Sequence, residues 1–289
     1  MAERVGLVLA CEGMGDCLFA IPVIRKMRAR FGEQYTLDVF THHPGLFEAC
    51  PYVEDVFPIH DRAALAAYPH KLAKVFELDK LPHSAMDTFD FISVPLGLGT
   101  LTFEEKRLEY FPREDDAAEA FDVVLNTSMT WPSRSWPVEN WQRLADALVA
   151  RGLRVAVVGK DVQSAADKLV KRSPALERVT NLVNRLSLDQ TYFTIRKAGL
   201  FVTCQNGLSV LAGATDTEIV VLDMSIDWSR RAIYREESPF RKVTYVKGGC
   251  RIYCGAPERC PLPENHGELR CIPAYEQVEA AVLAKIKGV

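Results

Sequence analysis

A carboxylate follows a glycine turn near the start of the chain. The turn, Glu12-Gly13-Met14-Gly15-Asp16, comes directly after the apolar run from Val5 to Ala10. Its glycines allow a tight turn and a close approach of a ligand to the backbone. The spacing is not a dinucleotide fingerprint, because Leu18 stands where the third glycine would be, and it is not a Walker A loop. We expect Asp16 to be a helix N-cap, a general base that accepts a proton from an attacking hydroxyl, or both.

Two later turns carry groups that suit a phosphate. The segment from Trp131 to Pro137 contains Arg134, whose guanidinium can bind phosphate oxygens in a bidentate manner. The segment from Cys204 to Ser209 opens a helix of small residues, and a helix N-terminus with free backbone amides binds anions. Both turns would suit a nucleotide diphosphate. Each also has an ordinary interpretation, as a solvated loop arginine and as a turn capped by Asn206.

Half of the eight cysteines lie in one segment near the end of the chain, with the spacing C-x3-C-x5-C-x10-C. These residues are Cys250, Cys254, Cys260 and Cys271. Since the chain has no recognisable export signal, this spacing favours a structural zinc or iron site over disulfides. The spacing is not that of a standard zinc ribbon, and free thiols in a packed loop are the alternative.

The composition limits the class of protein. A length of 289 residues suggests two domains, and 48% hydrophobic with 25% charged residues is typical of a soluble globular protein. The net charge of −3 provides no overall basic field to attract nucleic acid or anionic lipid. No apolar run approaches the roughly 20 residues that span a bilayer. We therefore expect a cytoplasmic protein without a membrane span.

Short apolar runs alternate with amphipathic helical stretches, which predicts βαβ units and an α/β fold. The predicted strands are 5–10, 36–40, 53–57, 121–125, 153–158, 200–203 and 218–222. The predicted helices are 16–31, 138–150, 161–171, 188–197, 207–214 and 274–286. This order predicts two doubly wound α/β domains in tandem, whose ligands would bind at the carboxyl ends of the strands.

A charged segment from Arg113 to Glu119 lacks an apolar period and predicts the linker between the domains. We therefore expect an N-terminal, acceptor-side domain over 1–116. A C-terminal, nucleotide-sugar-binding domain would follow over 117–272, including the cysteine loop at 250–271. A terminal helix over 273–289 would close the chain.

Taken in order, these segments resemble glycosyltransferase family 9, the lipopolysaccharide heptosyltransferase-like enzymes of GT-B fold. The resemblance is carried by Gly13-Met14-Gly15-Asp16, Ile21-Pro22-Val23-Ile24-Arg25, Pro51-Tyr52-Val53-Glu54-Asp55-Val56, Arg134-Ser135-Trp136-Pro137, Glu139-Asn140-Trp141, Asn181-Leu182, Gln205-Asn206-Gly207-Leu208-Ser209 and Cys271-Ile272. It covers most of the chain and implies two Rossmann-like domains that face each other across a cleft.

The resemblance also implies roles for individual residues. Asp16 would be the catalytic base, and Arg134, two positions before the Trp-Pro pair, would bind the donor phosphate. The donor would be a nucleotide-diphosphate sugar, held in part by backbone amides of the third turn, the segment from Cys204 to Ser209. The donor-binding set is Gly15, Arg134, Gln205, Asn206, Gly207, Leu208 and Ser209. A cysteine loop of this type binds iron in the protein-modifying heptosyltransferase branch.

The chain departs from the family pattern at the third turn, where relatives usually have D-[ST]-G-x-x-H. Gln205 stands in place of the carboxylate and Val210 in place of the histidine. The expected activity is transfer of a sugar, a heptose by resemblance, to a hydroxyl of a saccharide or protein acceptor. The alternatives are transfer to a modified base in phage DNA and a non-catalytic module that binds a sugar nucleotide.

Overall fold

The computed structural model describes residues 3–68, 70–74, 86–113, 117–129, 131–163, 170–235, 238–250, 252–255 and 258–286. The chain forms two compact units. Unit 1 consists of Met1–Arg113 and Ser229–Arg241, and unit 2 consists of Glu114–Trp228 and Lys242–Val289. No helix in the described ranges has both the length and the hydropathy needed to span a bilayer.

Unit 1 is built on a sheet of four parallel strands in the order β3-β2-β1-β4. The strands are β1 (Glu3–Leu9), β2 (Tyr35–Thr41), β3 (Val56–Pro58) and β4 (His70–Lys74), and the helices are α1 (Met14–Phe31), α2 (Arg62–Ala66) and α3 (Thr88–Ser93). Apolar side chains of α1, among them Ile21 and Ile24, are fully buried. The order of the strands reverses at β1, so the carboxyl end of β1 lies where sheets of this kind bind ligands.

Unit 2 contains the larger sheet. Its strands are β5 (Val123–Asn126), β6 (Val155–Val158), β7 (Val162–Gln163), β8 (Val170–Lys171), β9 (Thr180–Asn181), β10 (Leu200–Cys204), β11 (Glu218–Asp223) and β12 (Val243–Lys247), and its helices are α4 (Val138–Val149), α5 (Leu188–Arg196), α6 (Gly207–Gly213) and α7 (Tyr275–Lys285). Six strands form a parallel sheet in the order β12-β11-β10-β5-β6-β9. This is the 3-2-1-4-5-6 order of a Rossmann fold, with its switch point between β5 and β10.

The core of unit 2 is anchored by two tryptophans. The rings of Trp136 and Trp141 meet edge to face with centroids 4.9 Å apart, and both are about 1% exposed. The indole N–H of Trp136 donates to the carbonyl oxygen of Pro273 over 2.9 Å, so this buried donor is satisfied. These contacts hold α4 and the start of α7 to the sheet and fix the loop that carries Arg134.

The α/β class with parallel sheets is confirmed, and most predicted elements are present with ends that differ by up to three residues. The predicted helix over 161–171 is wrong at its described ends, which form the antiparallel pair β7 and β8; residues 164–169 lie outside the described ranges. The carboxylate of Asp161 accepts hydrogen bonds from the amide of Ser173 and from Nδ2 of Asn184, which tie the residues that flank this pair to one another and to a later turn. Strands β4, β9 and β12 were not predicted.

The structure also differs from the expected C-terminal domain over 117–272, because Ser229–Arg241 belongs to unit 1. The hydroxyl of Thr88 donates to the carbonyl oxygen of Arg230 over 2.7 Å. The ring of Tyr234 packs edge to face on Phe89, with centroids 5.7 Å apart. The chain therefore returns to unit 1 after most of unit 2 has been formed, a crossing that local sequence patterns do not reveal.

Candidate active site

Asp16 lies in the first turn of α1, directly after β1. It is the third residue of the helix, and Gly13 holds the N-cap position in an extended conformation. The carbonyl oxygen of Gly13 accepts from the amides of Asp16 and Cys17, at 3.0 and 3.2 Å. The expected N-cap role of Asp16 is therefore wrong, because the helix begins earlier than its apolar period indicates. Gly15 is the second residue of the same helix and is buried.

The carboxylate of Asp16 is paired with an arginine that the sequence analysis missed. Nη2 of Arg231 lies 2.6 Å from Oδ1 of Asp16, and the two side chains are 12% and 6% exposed. Arg231 is 215 positions away and belongs to the segment that returns to unit 1. No motif or periodicity links the two residues. A carboxylate this deeply buried needs such a partner, because burying an unpaired charge is costly.

Gly13 makes room for the second oxygen of the same carboxylate. A Cβ atom built on Gly13 would lie 2.2 Å from Oδ2 of Asp16, far inside van der Waals contact. The backbone of Gly13 has φ −79° and ψ 119°, a conformation that any residue adopts. Space for the carboxylate, and not backbone freedom, is therefore what requires glycine at this position.

Two buried thiols flank the turn. The sulfur atoms of Cys11 and Cys17 lie 3.3 Å apart, and both residues are at most 1% exposed. The hydrogen bond with Cys17, together with burial, raises the pKa of the Cys11 thiol. Cys11 therefore stays protonated at neutral pH and is not a nucleophile.

Polar side chains meet at the switch point of unit 2, between the carboxyl ends of β5 and β10. Nδ2 of Asn126 donates to Oγ1 of Thr203 over 2.9 Å and to Oδ1 of Asn206 over 3.0 Å. Asn126 was not among the expected site residues, although it is the last residue of a strand that ends at the predicted binding edge. These bonds fix the third turn against the neighbouring strand.

The third turn is capped in the way the ordinary interpretation expected. Oδ1 of Asn206 accepts from the amides of Leu208 and Ser209 at 2.9 and 3.4 Å, and Oγ of Ser209 accepts from the amide of Asn206 at 3.2 Å. These amides, which were expected to be free for an anion, are therefore engaged in a capping box. Of the amides from Asn206 to Ser209, that of Gly207 lies outside the capping box.

Arg134 lies beside the third turn and is not the solvated loop arginine of the ordinary interpretation. It ends a short 3₁₀ helix, Pro132–Arg134, and is 8% exposed. Its Nη2 donates to the carbonyl oxygen of Gln205, and its guanidinium lies 5.2 Å from the centre of the Trp131 ring. The structure thus brings together Arg134 and Gln205, two residues expected in the donor site.

A buried carboxyl group adjoins this turn. Asp223, the last residue of β11, accepts from Nε2 of Gln205 over 3.0 Å and from the hydroxyl of Tyr253 over 2.7 Å. It is 1% exposed, and burial raises its pKa to about 7 against the opposing effect of the Tyr253 hydrogen bond. The sequence analysis named neither Asp223 nor Tyr253. The position of Asp223 at the end of a parallel strand was the signal that could have identified it.

The cysteine loop starts beyond β12, and its two ends lie together. The amide of Cys250 donates to the carbonyl oxygen of Arg270 over 3.0 Å. None of these four described cysteines is joined in a disulfide, and burial together with the neighbouring thiols of Cys254, Cys250 and Cys260 raises the pKa of Cys271 to about 11. Within the described part of the chain, no group of three ligand side chains is arranged to hold a metal ion. The expected metal site is therefore not seen in this arrangement.

A comparison with family models covers the loop of Arg134 and the third turn. The model of glycosyltransferase family 9 (heptosyltransferase) matches residues 70–224, which is more than half of the chain. The chain belongs to glycosyltransferase family 9. It is therefore a glycosyltransferase, as the sequence analysis expected. The match includes Arg134, Gln205 and Asp223 and ends before Arg231, while Asp16 precedes it.

Solved structures agree with this family fold at low sequence identity. The glycosyl transferase family 9 protein from Veillonella parvula DSM 2008 is 12% identical, with a TM-score of 0.68 over 98% of this chain and 97% of that chain. ADP-heptose LPS heptosyltransferase II from E. coli is 13% identical, with a TM-score of 0.64 over 98% of each chain. The iron-containing dodecameric glycosyltransferase TibC from enterotoxigenic E. coli H10407 is 16% identical, with a TM-score of 0.70 over 100% of this chain and 80% of that chain. No curated protein matches the sequence.

The contact between Gly13 and Asp16 leads to a first prediction for this family 9 enzyme. We expect Gly13→Ala to displace the carboxylate of Asp16 and to lower transfer about a hundredfold, the cost of a misplacement near 1 Å. Gly45→Ala is the matched control, because its Cβ would meet nothing closer than Nη2 of Arg113 at 3.8 Å. Steady-state rates and circular dichroism of both variants provide the measurement. A fully active Gly13→Ala enzyme would remove Asp16 from the site.

The carboxyl of Asp223 leads to a second prediction, on stability. Its pKa rises on folding from 3.8 to about 7, so between these values the folded state holds a proton that the unfolded state has released. Its contribution is therefore complete below about pH 4 and is lost as the pH rises to 7. Relative to Asp223→Asn, we expect the wild-type free energy of unfolding to fall by about 3 kcal/mol between about pH 4.5 and 8. Urea unfolding across this range measures the difference, and parallel profiles would contradict the prediction.

Proposed function

We propose that this family 9 enzyme transfers a heptose from ADP-heptose to a hydroxyl of a saccharide acceptor. The observation that carries the proposal is the family match, which spans the Arg134 loop and the third turn. The proposed donor is supported by solved structures of similar fold, which include an ADP-heptose LPS heptosyltransferase and a heptosyltransferase in complex with ADP-D-β-D-heptose.

In this proposal Asp16 is the general base. Arg231 holds Oδ1 of Asp16, and Oδ2, the oxygen beside Gly13, takes the proton of the acceptor hydroxyl. The acceptor oxygen forms a bond to the anomeric carbon as the bond from that carbon to the diphosphate oxygen breaks. The electron pair of the broken bond leaves with the nucleoside diphosphate.

The donor side of the proposal rests on unit 2. As the glycosidic bond breaks, negative charge grows on the diphosphate, and groups that already carry positive charge or aligned dipoles stabilise it. Arg134 supplies a guanidinium beside the third turn. Of the amides at Asn206 to Leu208, that of Gly207 remains outside the capping box and is the one proposed to donate to the diphosphate. A metal ion at the diphosphate is not required by this scheme.

A third prediction tests the base. We expect Asp16→Asn to keep its affinity for ADP-heptose and to lower transfer by roughly 10²- to 10⁴-fold, because the amide cannot accept the proton. Asp61→Asn, which keeps a side-chain oxygen at the N-cap of α2, is the matched control and should leave both quantities unchanged. Calorimetric titration with ADP-heptose and assays of ADP release provide the measurements.

Two results would contradict the proposal in different ways. Unchanged transfer by Asp16→Asn would exclude Asp16 as the base while leaving the donor in place. A wild-type enzyme that binds ADP-heptose, but neither transfers nor slowly hydrolyses it, would instead be a binding module.

For the cysteine loop we propose a structural zinc or iron ion bound by Cys250, Cys254, Cys260 and Cys271. Thiolates are suitable ligands for both metals. The proposal is supported by the closure of the loop ends, where the amide of Cys250 donates to the carbonyl oxygen of Arg270. The described arrangement does not hold three of the sulfur atoms at ligand distance, so the loop would have to tighten around the ion.

A fourth prediction tests the metal. We expect purified wild-type enzyme to contain about one zinc or iron ion per chain, measured by inductively coupled plasma mass spectrometry. Cys254→Ser should lose the metal, whereas Cys50→Ser, which changes a buried thiol of unit 1, should retain it. Metal-free wild-type protein after growth in medium with both metals would exclude the site.

A further inference from the structure

The carboxyl of Asp223 lies next to the proposed donor turn but has no part in the scheme above. Both of its oxygens are occupied by donors, Oδ1 by Nε2 of Gln205 at 3.0 Å and Oδ2 by the hydroxyl of Tyr253 at 2.7 Å. An ionised carboxylate accepts hydrogen bonds and donates none. It therefore selects one of the two orientations of the Gln205 amide, the one in which the NH2 group faces Asp223.

This orientation leaves the other half of the amide without a partner. Among the described residues, Oε1 of Gln205 is a buried acceptor that receives no hydrogen bond, and Nδ2 of Asn206 is a buried donor that makes none. Gln205 and Asn206 are 4% and 8% exposed. Buried polar atoms are nearly always paired, so an unpaired acceptor and an unpaired donor on adjacent residues point to a ligand.

The chemistry of these two atoms identifies the kind of ligand group. A diphosphate at neutral pH offers only acceptors, so it can satisfy Nδ2 of Asn206 but not Oε1 of Gln205. A hydroxyl both donates and accepts, and it satisfies either atom. Oε1 of Gln205 therefore suits a carbohydrate hydroxyl of the donor, on its ribose or on its transferred sugar.

We propose that Asp223 is a positioning residue that fixes the amide of Gln205 so that Oε1 accepts a hydrogen bond from a donor hydroxyl. This inference rests on the proposed function, because it takes a nucleotide sugar as the ligand. Asp223, at the end of β11, supplies the negative charge, and Gln205, after β10, presents the oxygen to the ligand. Two side chains on neighbouring strands thus do together what a single carboxylate could do.

The cysteine loop takes part in this arrangement. Tyr253, in the loop, donates the second hydrogen bond to Asp223, and Nζ of Lys247 lies 4.3 Å from the centre of the Tyr253 ring. The amide of Gly255 donates to the carbonyl oxygen of Ser225 over 2.9 Å. The first part of the loop therefore holds Asp223 through Oδ2, while Oδ1 makes the contact with Gln205.

The fifth prediction is a reciprocal exchange of amide and carboxylate. In Asp223→Asn, the new NH2 group can face position 205 and turn the amide of Gln205, so that its NH2 group replaces Oε1. We expect the KM for ADP-heptose to rise about tenfold at unchanged kcat, the loss of one hydrogen bond made equally in ground and transition states. In Q205E/D223N, the carboxylate at position 205 accepts from the amide at position 223 and keeps a second oxygen for the hydroxyl. We expect it to recover a KM within about threefold of wild type.

Matched variants and ligands complete the experiment, which is run at about pH 8, above the pKa of about 7 of Asp223. Asp216→Asn changes an exposed carboxylate of unit 2 and should leave the KM unchanged. Q205E alone places two carboxylates together and should also raise the KM.

Calorimetric titration with ADP and with ADP-heptose distinguishes the two hydroxyl sources. A weaker ADP complex in Asp223→Asn assigns the ribose, and a change seen only with ADP-heptose assigns the sugar.

Each remaining outcome has one meaning. An unchanged KM in Asp223→Asn, or a double variant no better than the worse single variant, overturns the inference and leaves the proposed function intact. A wild-type enzyme that neither binds nor turns over ADP-heptose overturns the proposed function, and the inference with it. A fall in kcat alone would also overturn the inference, since a positioning role in donor binding acts on the KM.

Discussion

Parallel strands end at one edge of their sheet, and this constraint determines where polar groups can gather in both units. In unit 1 the carboxyl end of β1 leads into the turn that carries Asp16. In unit 2 the ends of β5 and β11 bring Asn126 to Asn206 and Asp223 to Gln205, so both strands hydrogen-bond to adjacent residues of the third turn. In unit 2 the strands behind these ends are almost entirely buried, so polar side chains that must meet a ligand gather where the strands stop.

This constraint explains why much of the fold and part of the site could be predicted from the sequence. Apolar runs and helical periods are local, and they located most strands and helices. A glycine turn after an apolar run is also local, and it identified the positions of Asp16 and of the turn at Gln205 to Ser209. The helix expected over 161–171 is wrong at its described ends, where side-chain bonds of Asp161 to distant partners accompany an extended backbone. Such bonds leave no periodic signal.

The residues that complete each site could not be predicted for a related reason. Arg231 pairs with a carboxylate 215 positions earlier, and Tyr253 reaches Asp223 from the cysteine loop. Contacts of this kind depend on the path of the chain between units, which a single sequence does not encode in any short window. The capping of the third turn was foreseen as an alternative, yet only the coordinates reveal that it engages the amides of Leu208 and Ser209.

The return of Ser229–Arg241 to unit 1 has a consequence for synthesis on the ribosome. Asp16 emerges early, but its guanidinium partner is translated 215 residues later. At an elongation speed of about 5–20 residues per second this delay is on the order of ten to forty seconds. During that interval a nascent unit 1 can assemble its strands but must leave this carboxylate hydrated or protonated. The final, charge-paired packing of the first unit is therefore a late event in biogenesis, although most of its residues are made first.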